Sequence, residues 1–68
     1  MKKENKNKLF EALAWCDWKD KSTEFTLTYM SEIIEGWDES DVANWIFDNS
    51  HKRSQWYQDN PDWYKKYE

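Results

Sequence analysis

EFTLTYM, residues 24–30, fits two kinds of secondary structure. Its polar and apolar residues alternate as they do in a half-buried strand, which would make the chain an α+β protein. However, Phe25, Tyr29, Ile33 and Trp37 recur every four residues, as they would along one side of a helix. No other segment has a strand pattern, and an isolated strand would leave its backbone groups unpaired. The sequence therefore predicts an all-α fold.

The residues around this segment carry the start and stop signals of a helix. Ser22 or Thr23 can cap its N-terminus, because a hydroxyl oxygen there can accept a hydrogen bond from a free backbone N–H group. Gly36, the only glycine, lies where the left-handed residue that follows a helix is expected. We predict a helix from about Thr23 to Glu35.

Another helix precedes this one, in the segment KLFEALAWCDW. One helical stripe with i, i+3, i+4 spacing contains Leu9, Phe10, Leu13, Ala14 and either Asp17 or Trp18. We predict that the helix extends from about Asn5 to Lys19. Residues 1–5 are expected to fray, because their lysines lie at the positive end of the helix dipole.

A third helix follows the glycine. Asp38 or Ser40 can cap it, and acidic residues in its first turn suit the helix dipole. The face predicted to be buried contains Val42, Trp45, Ile46 and Asn49. The apolar pattern either continues through residues 50–58 or breaks at Asn49-Ser50.

The last element is predicted from the only proline. Asn60 can cap a short helix from Pro61 to about Tyr67, because proline is favoured at the first helical position. The sequence thus predicts three to four short helices in one small domain, residues 1–68. Its predicted core contains Leu9, Phe10, Leu13, Phe25, Tyr29, Ile33, Ile34, Val42, Trp45 and Ile46.

Few side chains in this sequence suit catalysis. His51 stands beside Lys52 and Arg53, which favours a solvated turn, and Cys16 lies on or beside the first apolar stripe, where a thiol packs as a small hydrophobe. One cysteine and one histidine supply neither a disulfide within the chain nor a zinc site, and one glycine cannot build a phosphate-binding loop. We therefore expect no enzyme activity, no metal and no cofactor.

Charge is distributed unevenly along the chain, whose net charge is −4. The stretch from Ser22 to Ser50 contains no lysine or arginine. Its seven acidic residues are Glu24, Glu32, Glu35, Asp38, Glu39, Asp41 and Asp48. Such a stretch repels nucleic acid and attracts basic protein surfaces, so direct nucleic-acid binding is not expected.

Aromatic residues outnumber the large aliphatic ones, with thirteen rings against seven leucine, isoleucine and valine residues. Aromatic rings stabilise small cores and are also enriched at protein interfaces. In the C-terminal segment SQWYQDNPDWYKKYE, we predict that Trp56 and Trp63 pack inward while Tyr57 or Tyr64 stays at the surface.

Two features suggest where such a chain acts. No apolar run approaches the roughly 18 residues that span a bilayer, and the start lacks the apolar core of a secretory signal. One unpaired cysteine suits a reducing compartment. We expect a cytoplasmic protein without a membrane partner.

Two resemblances complete the sequence-based interpretation. WDESDVANWI, residues 37–46, resembles the first-helix signature of SAM domains, but the 22 residues that follow are too few for the rest of such a domain. The resemblance implies a helix start and no domain assignment. In size, acidity and lack of catalytic groups, the chain resembles the small host-takeover and anti-defence proteins of bacteriophages.

We therefore predict an inhibitor or modulator that binds a larger protein with a basic surface, such as a nucleic-acid enzyme, in part through an acidic, DNA-mimic-like face. The predicted partner-binding residues are Glu35, Asp38, Glu39, Asp41, Trp56, Tyr57, Trp63 and Tyr64. Reversing the four acidic residues to lysine is expected to slow association and leave the helices intact. The alternatives are a homo-oligomeric structural or assembly subunit and an antitoxin-like neutraliser.

Overall fold

The structure is a computed structural model that describes residues 3–67. Its α-helices are α1 (Lys3–Trp18), α2 (Thr23–Ser31), α3 (Glu39–Asn49) and α4 (Arg53–Asp59), and its two 3-10 helices are Ser50–Lys52 and Trp63–Tyr67. The described residues form no strand, so the all-α prediction is confirmed. Fraying of residues 1–5 stays a prediction, and the first two of them lie outside the described residues.

The ambiguous segment is helical because α2 has a hydroxyl cap. Ser22 Oγ accepts a hydrogen bond of 3.1 Å from the backbone N–H of Phe25, as expected for a residue at this position. The Ser22 carbonyl also accepts bonds from the backbone N–H of Thr26 at 3.0 Å and from its hydroxyl at 2.9 Å. The predicted start at Thr23 is confirmed.

α2 ends at Ser31, four residues before the predicted end at Glu35. The Ser31 hydroxyl donates to the Thr28 carbonyl at 2.8 Å, which offers the backbone an alternative to continued helix. The chain then turns, and Gly36 adopts the left-handed region with φ of 91°. The glycine conformation was predicted correctly, but it closes the turn before α3 and does not terminate α2.

α3 begins with a reciprocal pair of carboxylates. Asp38 Oδ1 accepts a bond of 3.0 Å from the backbone N–H of Asp41, and Asp41 Oδ2 accepts one of 2.9 Å from the backbone N–H of Asp38. This is a capping box with aspartate in the position that glutamate or glutamine usually occupies. Of the two predicted caps, Asp38 and Ser40, the structure has Asp38 at the N-cap of α3.

α3 breaks at Asn49-Ser50, one of the two predicted outcomes. Asn49 is buried, and its side-chain N–H donates to the Trp45 carbonyl at 2.8 Å. Ser50 Oγ donates to the Phe47 carbonyl at 3.3 Å. One 3-10 turn follows, and α4 starts at Arg53.

Asn60 acts differently from the prediction. Its backbone N–H and its side-chain N–H both donate to the Trp56 carbonyl at 2.9 Å, so Asn60 closes α4. The last segment becomes helical only at Trp63, as a 3-10 helix, with a bond of 3.2 Å from the Trp63 N–H to the Asn60 carbonyl. The predicted helix from Pro61 therefore starts two residues later and has the tighter winding.

The core lies where α2 packs against both α1 and α3. Its buried apolar residues are Leu9, Phe10, Ala12, Leu13, Ala14, Cys16, Met30, Val42, Trp45 and Trp56. Tyr29, Ile33, Ile34 and Ile46 from the predicted core are half-buried. Phe25 is 42% exposed, so its assignment to the core was wrong. α2 turns Met30 inward, and this fully buried residue was missed.

Candidate partner-binding surfaces

The acidic stretch is a solvent-facing surface. All seven of its carboxylate residues are exposed. The salt bridges among the described side chains involve Asp17, Asp62 and Glu11, and none involves an acidic residue between Ser22 and Ser50. The negative field of this stretch is therefore not cancelled by ion pairs among the described side chains.

The four predicted partner-binding carboxylates differ in what holds them. Asp38 and Asp41 form the capping box of α3, and Glu39 Oε1 accepts a bond of 3.0 Å from the Thr28 hydroxyl. Glu35 lies in the turn between α2 and α3 and is exposed. Reversal of all four residues stays untested, but for Asp38 and Asp41 we now expect a weaker start of α3, because lysine cannot accept the capping bonds.

Among the predicted aromatic anchors, Trp56 is part of the core. It is 8% exposed, and its ring lies 6.0 Å from that of Phe10 in a stacked arrangement. Its Nε1–H donates to the side-chain Oδ1 of Asn7 at 2.8 Å. The prediction that this ring packs inward is confirmed, and little of its surface is left for a partner.

Trp63 joins the C-terminal rings to α1. Its ring lies within 6.3 Å of the rings of Trp18, Trp56, Tyr57, Tyr64 and Tyr67. Trp63, Tyr57 and Tyr64 are all half-buried, so the predicted contrast between an inward tryptophan and an outward tyrosine is weaker in the structure. The C-terminal rings are both packing groups and partly open surface.

Glu11 holds the C-terminal segment on α1, and sequence reasoning missed it. Its Oε1 lies 2.8 Å from Lys66 Nζ, and its Oε2 accepts a bond of 3.0 Å from the Tyr67 hydroxyl. The side chain of Glu11 is only 17% exposed. The signal available in the sequence was its position one turn before Trp15, whose ring lies 6.3 Å from that of Tyr67.

Tyr67 makes this contact dependent on pH. The pKa of Tyr67 is raised from 10.0 to about 12. Burial is the largest cause, and the Glu11 carboxylate is the second. The unfolded chain therefore loses the phenol proton first, so the stabilising contribution is complete below pH 10 and is lost as the pH rises to about 12. Between pH 10 and about 12, urea unfolding should show a smaller loss of stability for Tyr67→Phe than for the wild-type chain. An equal loss in both proteins would contradict the buried contact.

An open cleft of about 250 Å³ lies beside Cys16. Its lining residues are Leu13, Cys16, Asp17, Lys21, Thr23, Thr26, Leu27 and Ile46. Burial raises the pKa of the Cys16 thiol, so the thiolate needed for nucleophilic attack is scarce near neutral pH. Cys16 packs as predicted, and His51 lies exposed on the 3-10 turn before α4.

The predicted carboxylates and the predicted rings are not joined to one another. Among the described side chains, no hydrogen bond or salt bridge connects the two sets.

The large exposed apolar side chains are Trp18, Phe25 and Phe47, at 46%, 42% and 82% exposure. Phe47 was missed, although it follows the buried residues Val42 and Trp45 at a spacing that places it on the outer side of α3.

Comparisons with known proteins give neither a family nor a function for this chain. No family model matches the chain, and neither curated proteins nor solved structures gave a significant match. Among the helices of residues 3–67, none has both the length and the apolar composition needed to cross a membrane. The same residues contain no cluster of three or more side chains arranged to ligate a metal ion.

Proposed function

We propose that the chain is a non-catalytic, protein-binding inhibitor or modulator whose acidic stretch docks on the basic surface of a larger partner. One observation supports this most strongly: the seven carboxylate residues between Ser22 and Ser50 are all exposed, and none enters an ion pair among the described side chains. A basic partner can neutralise them without first breaking internal salt bridges. Such complementarity raises the association rate and excludes acidic partners.

The kind of partner follows from the same charge. Proteins that bind nucleic acid present basic surfaces to phosphate groups, and a helical surface of carboxylates can occupy such a surface. We propose a nucleic-acid enzyme in the cytoplasm as the target. An anti-defence or host-takeover role of the kind found in bacteriophages is the biological setting that this interaction fits.

Charge reversal at Glu32 and Glu35 tests the proposal. Both residues are exposed and lie outside the capping box, so the helices should be retained. A tagged chain would capture a partner from cell extract, and the purified partner would then be titrated at several salt concentrations. The double variant to lysine should bind about tenfold more weakly at low salt and show a flatter salt dependence.

A matched control separates position from net charge. Replacing Asp59 and Asp62 by lysine changes the net charge by the same amount, four units, outside the acidic stretch. This control should lose much less affinity than the variant at Glu32 and Glu35. Equal losses, or binding that is insensitive to salt and to both pairs, would contradict docking through the acidic stretch.

The homo-oligomeric and antitoxin-like alternatives stay predictions. Sedimentation of the purified chain distinguishes the first of them, because an oligomeric subunit must associate without a partner while an inhibitor need not. A captured toxin whose activity the chain neutralises would instead favour the second.

A further inference from the structure

Phe47 is the most exposed large apolar side chain of the described structure. At 82% exposure it has nearly twice the open surface fraction of Trp18 or Phe25. Those two rings pack against neighbouring rings. The centroids of Trp18 and Trp63 are 5.9 Å apart, and so are those of Phe25 and Tyr29. Among the described residues, no aromatic ring packs against Phe47.

Phe47 lies on the side of α3 that faces away from the core. At 100° per residue it lies opposite the buried face formed by Val42, Trp45 and Asn49. The residues one turn before it on the same face are Ala43 and Asn44, and Ser50 and His51 follow the end of α3; all four are exposed. Most of these are short, so the phenyl ring projects beyond its surroundings and can enter a recess in another surface.

Carboxylates border this face on both sides. Helical geometry places Glu39 about 80° from Phe47 in one direction, and Asp48 and Asp41 about 100° and 120° away in the other. All three are exposed, and the stretch that contains them has no lysine or arginine. A second copy of this face would bring like charges together, which disfavours self-association through α3. A basic surface would complement it.

We infer that Phe47 is the apolar anchor of the acidic surface, and that the outer face of α3 docks on a basic protein surface with a recess that receives the phenyl ring. This inference rests on the proposed function and adds one residue to it. Phe47 would contribute binding affinity, while the carboxylates would increase the rate of association with the basic partner. Aromatic residues surrounded by small or polar neighbours that exclude water are the usual centres of interface binding energy.

Two synthetic peptides test this without a captured partner. One is a helical peptide of leucine and lysine with an apolar face, and the other is an oligolysine with the same number of charges. Backbone amide shifts of the full chain would be followed during each titration. The leucine–lysine peptide should shift residues 43–51 most, and Phe47→Ala should weaken its binding about tenfold. Oligolysine should bind wild type and Phe47→Ala equally.

Phe25→Ala is the matched control, because it removes an exposed ring from outside α3 and should leave peptide affinity unchanged. Phe47→Leu should restore part of the affinity, and both Phe47 variants should melt like wild type.

Equal binding of the leucine–lysine peptide to wild type and Phe47→Ala would overturn the inference and leave the acidic docking intact. Shifts centred on Trp18 and Phe25, or a wild-type dimer lost in Phe47→Ala, would also overturn it. Failure of both peptides to shift any part of the acidic stretch, residues 22–50, would contradict the proposed function as well.

Discussion

Trp56→Ala is expected to lower the free energy of unfolding by about 3–5 kcal/mol, the usual cost of truncating a buried large aromatic side chain. The variant would lose the stacking on Phe10, the contacts with Trp63 and Tyr57, and the bond to Asn7. At about 0.05–0.15 kcal/mol per residue, a domain of 68 residues has a total stability of about 3–10 kcal/mol, so this loss is a large part of it. Urea unfolding followed by far-UV circular dichroism would measure the loss.

Trp56→Phe is the companion variant. It keeps an aromatic ring in the core and removes only the indole N–H that bonds to Asn7, so it should cost much less than alanine. The buried assignment of Trp56 would be contradicted if the alanine variant lost less than about 1 kcal/mol, the cost typical of ordinary substitutions.

Glu11→Ala is expected to cost about 2 kcal/mol, because hydrogen bonds to charged, poorly exposed groups contribute more than neutral ones. The variant leaves the Tyr67 hydroxyl without its acceptor and Lys66 without its counterion. Its effect should be concentrated at the C-terminal segment, where amide exchange should accelerate while α3 stays protected.

Asp62→Ala provides the comparison for Glu11. Asp62 forms a 3.5 Å salt bridge with Lys65, and both side chains are largely exposed, so its loss should cost well under about 1 kcal/mol. If the two variants cost the same, Glu11 does not hold the segment on α1. The difference between them combines the low exposure of Glu11 with its additional hydrogen bond from Tyr67.

The fold class could be predicted because its signals are local. Ser22 and Asp38 act through hydrogen bonds to residues three positions away, and such bonds are visible in sequence spacing. The inward face of α2 could not be predicted in the same way. The four-residue spacing of Phe25 and Tyr29 indicated one face, whereas packing between α1 and α3 selects the face of Met30.

The candidate surfaces were only partly predictable. The exposed acidic stretch follows from composition alone, since charged side chains are rarely buried without partners. The contacts of Glu11 join residues 55 and 56 positions apart, and no periodicity in the sequence indicates such pairs. Asn60 illustrates a different limit, because the same residue type can close one helix or open the next.

The contacts between α1 and the C-terminal segment have a consequence for synthesis on the ribosome. Asn7 pairs with Trp56, Asp17 with Arg53, and Glu11 with Tyr67, at sequence separations of 49, 36 and 56 residues. Translation makes α1 first, whereas its partners emerge from the exit tunnel only after α2 and α3. Until then, Trp18 lacks the rings of Trp63 and Tyr64, and Trp15 lacks that of Tyr67, so this side of α1 is more open to chaperones than in the folded chain. Final docking of the nascent chain must therefore wait until Tyr67 has cleared the tunnel.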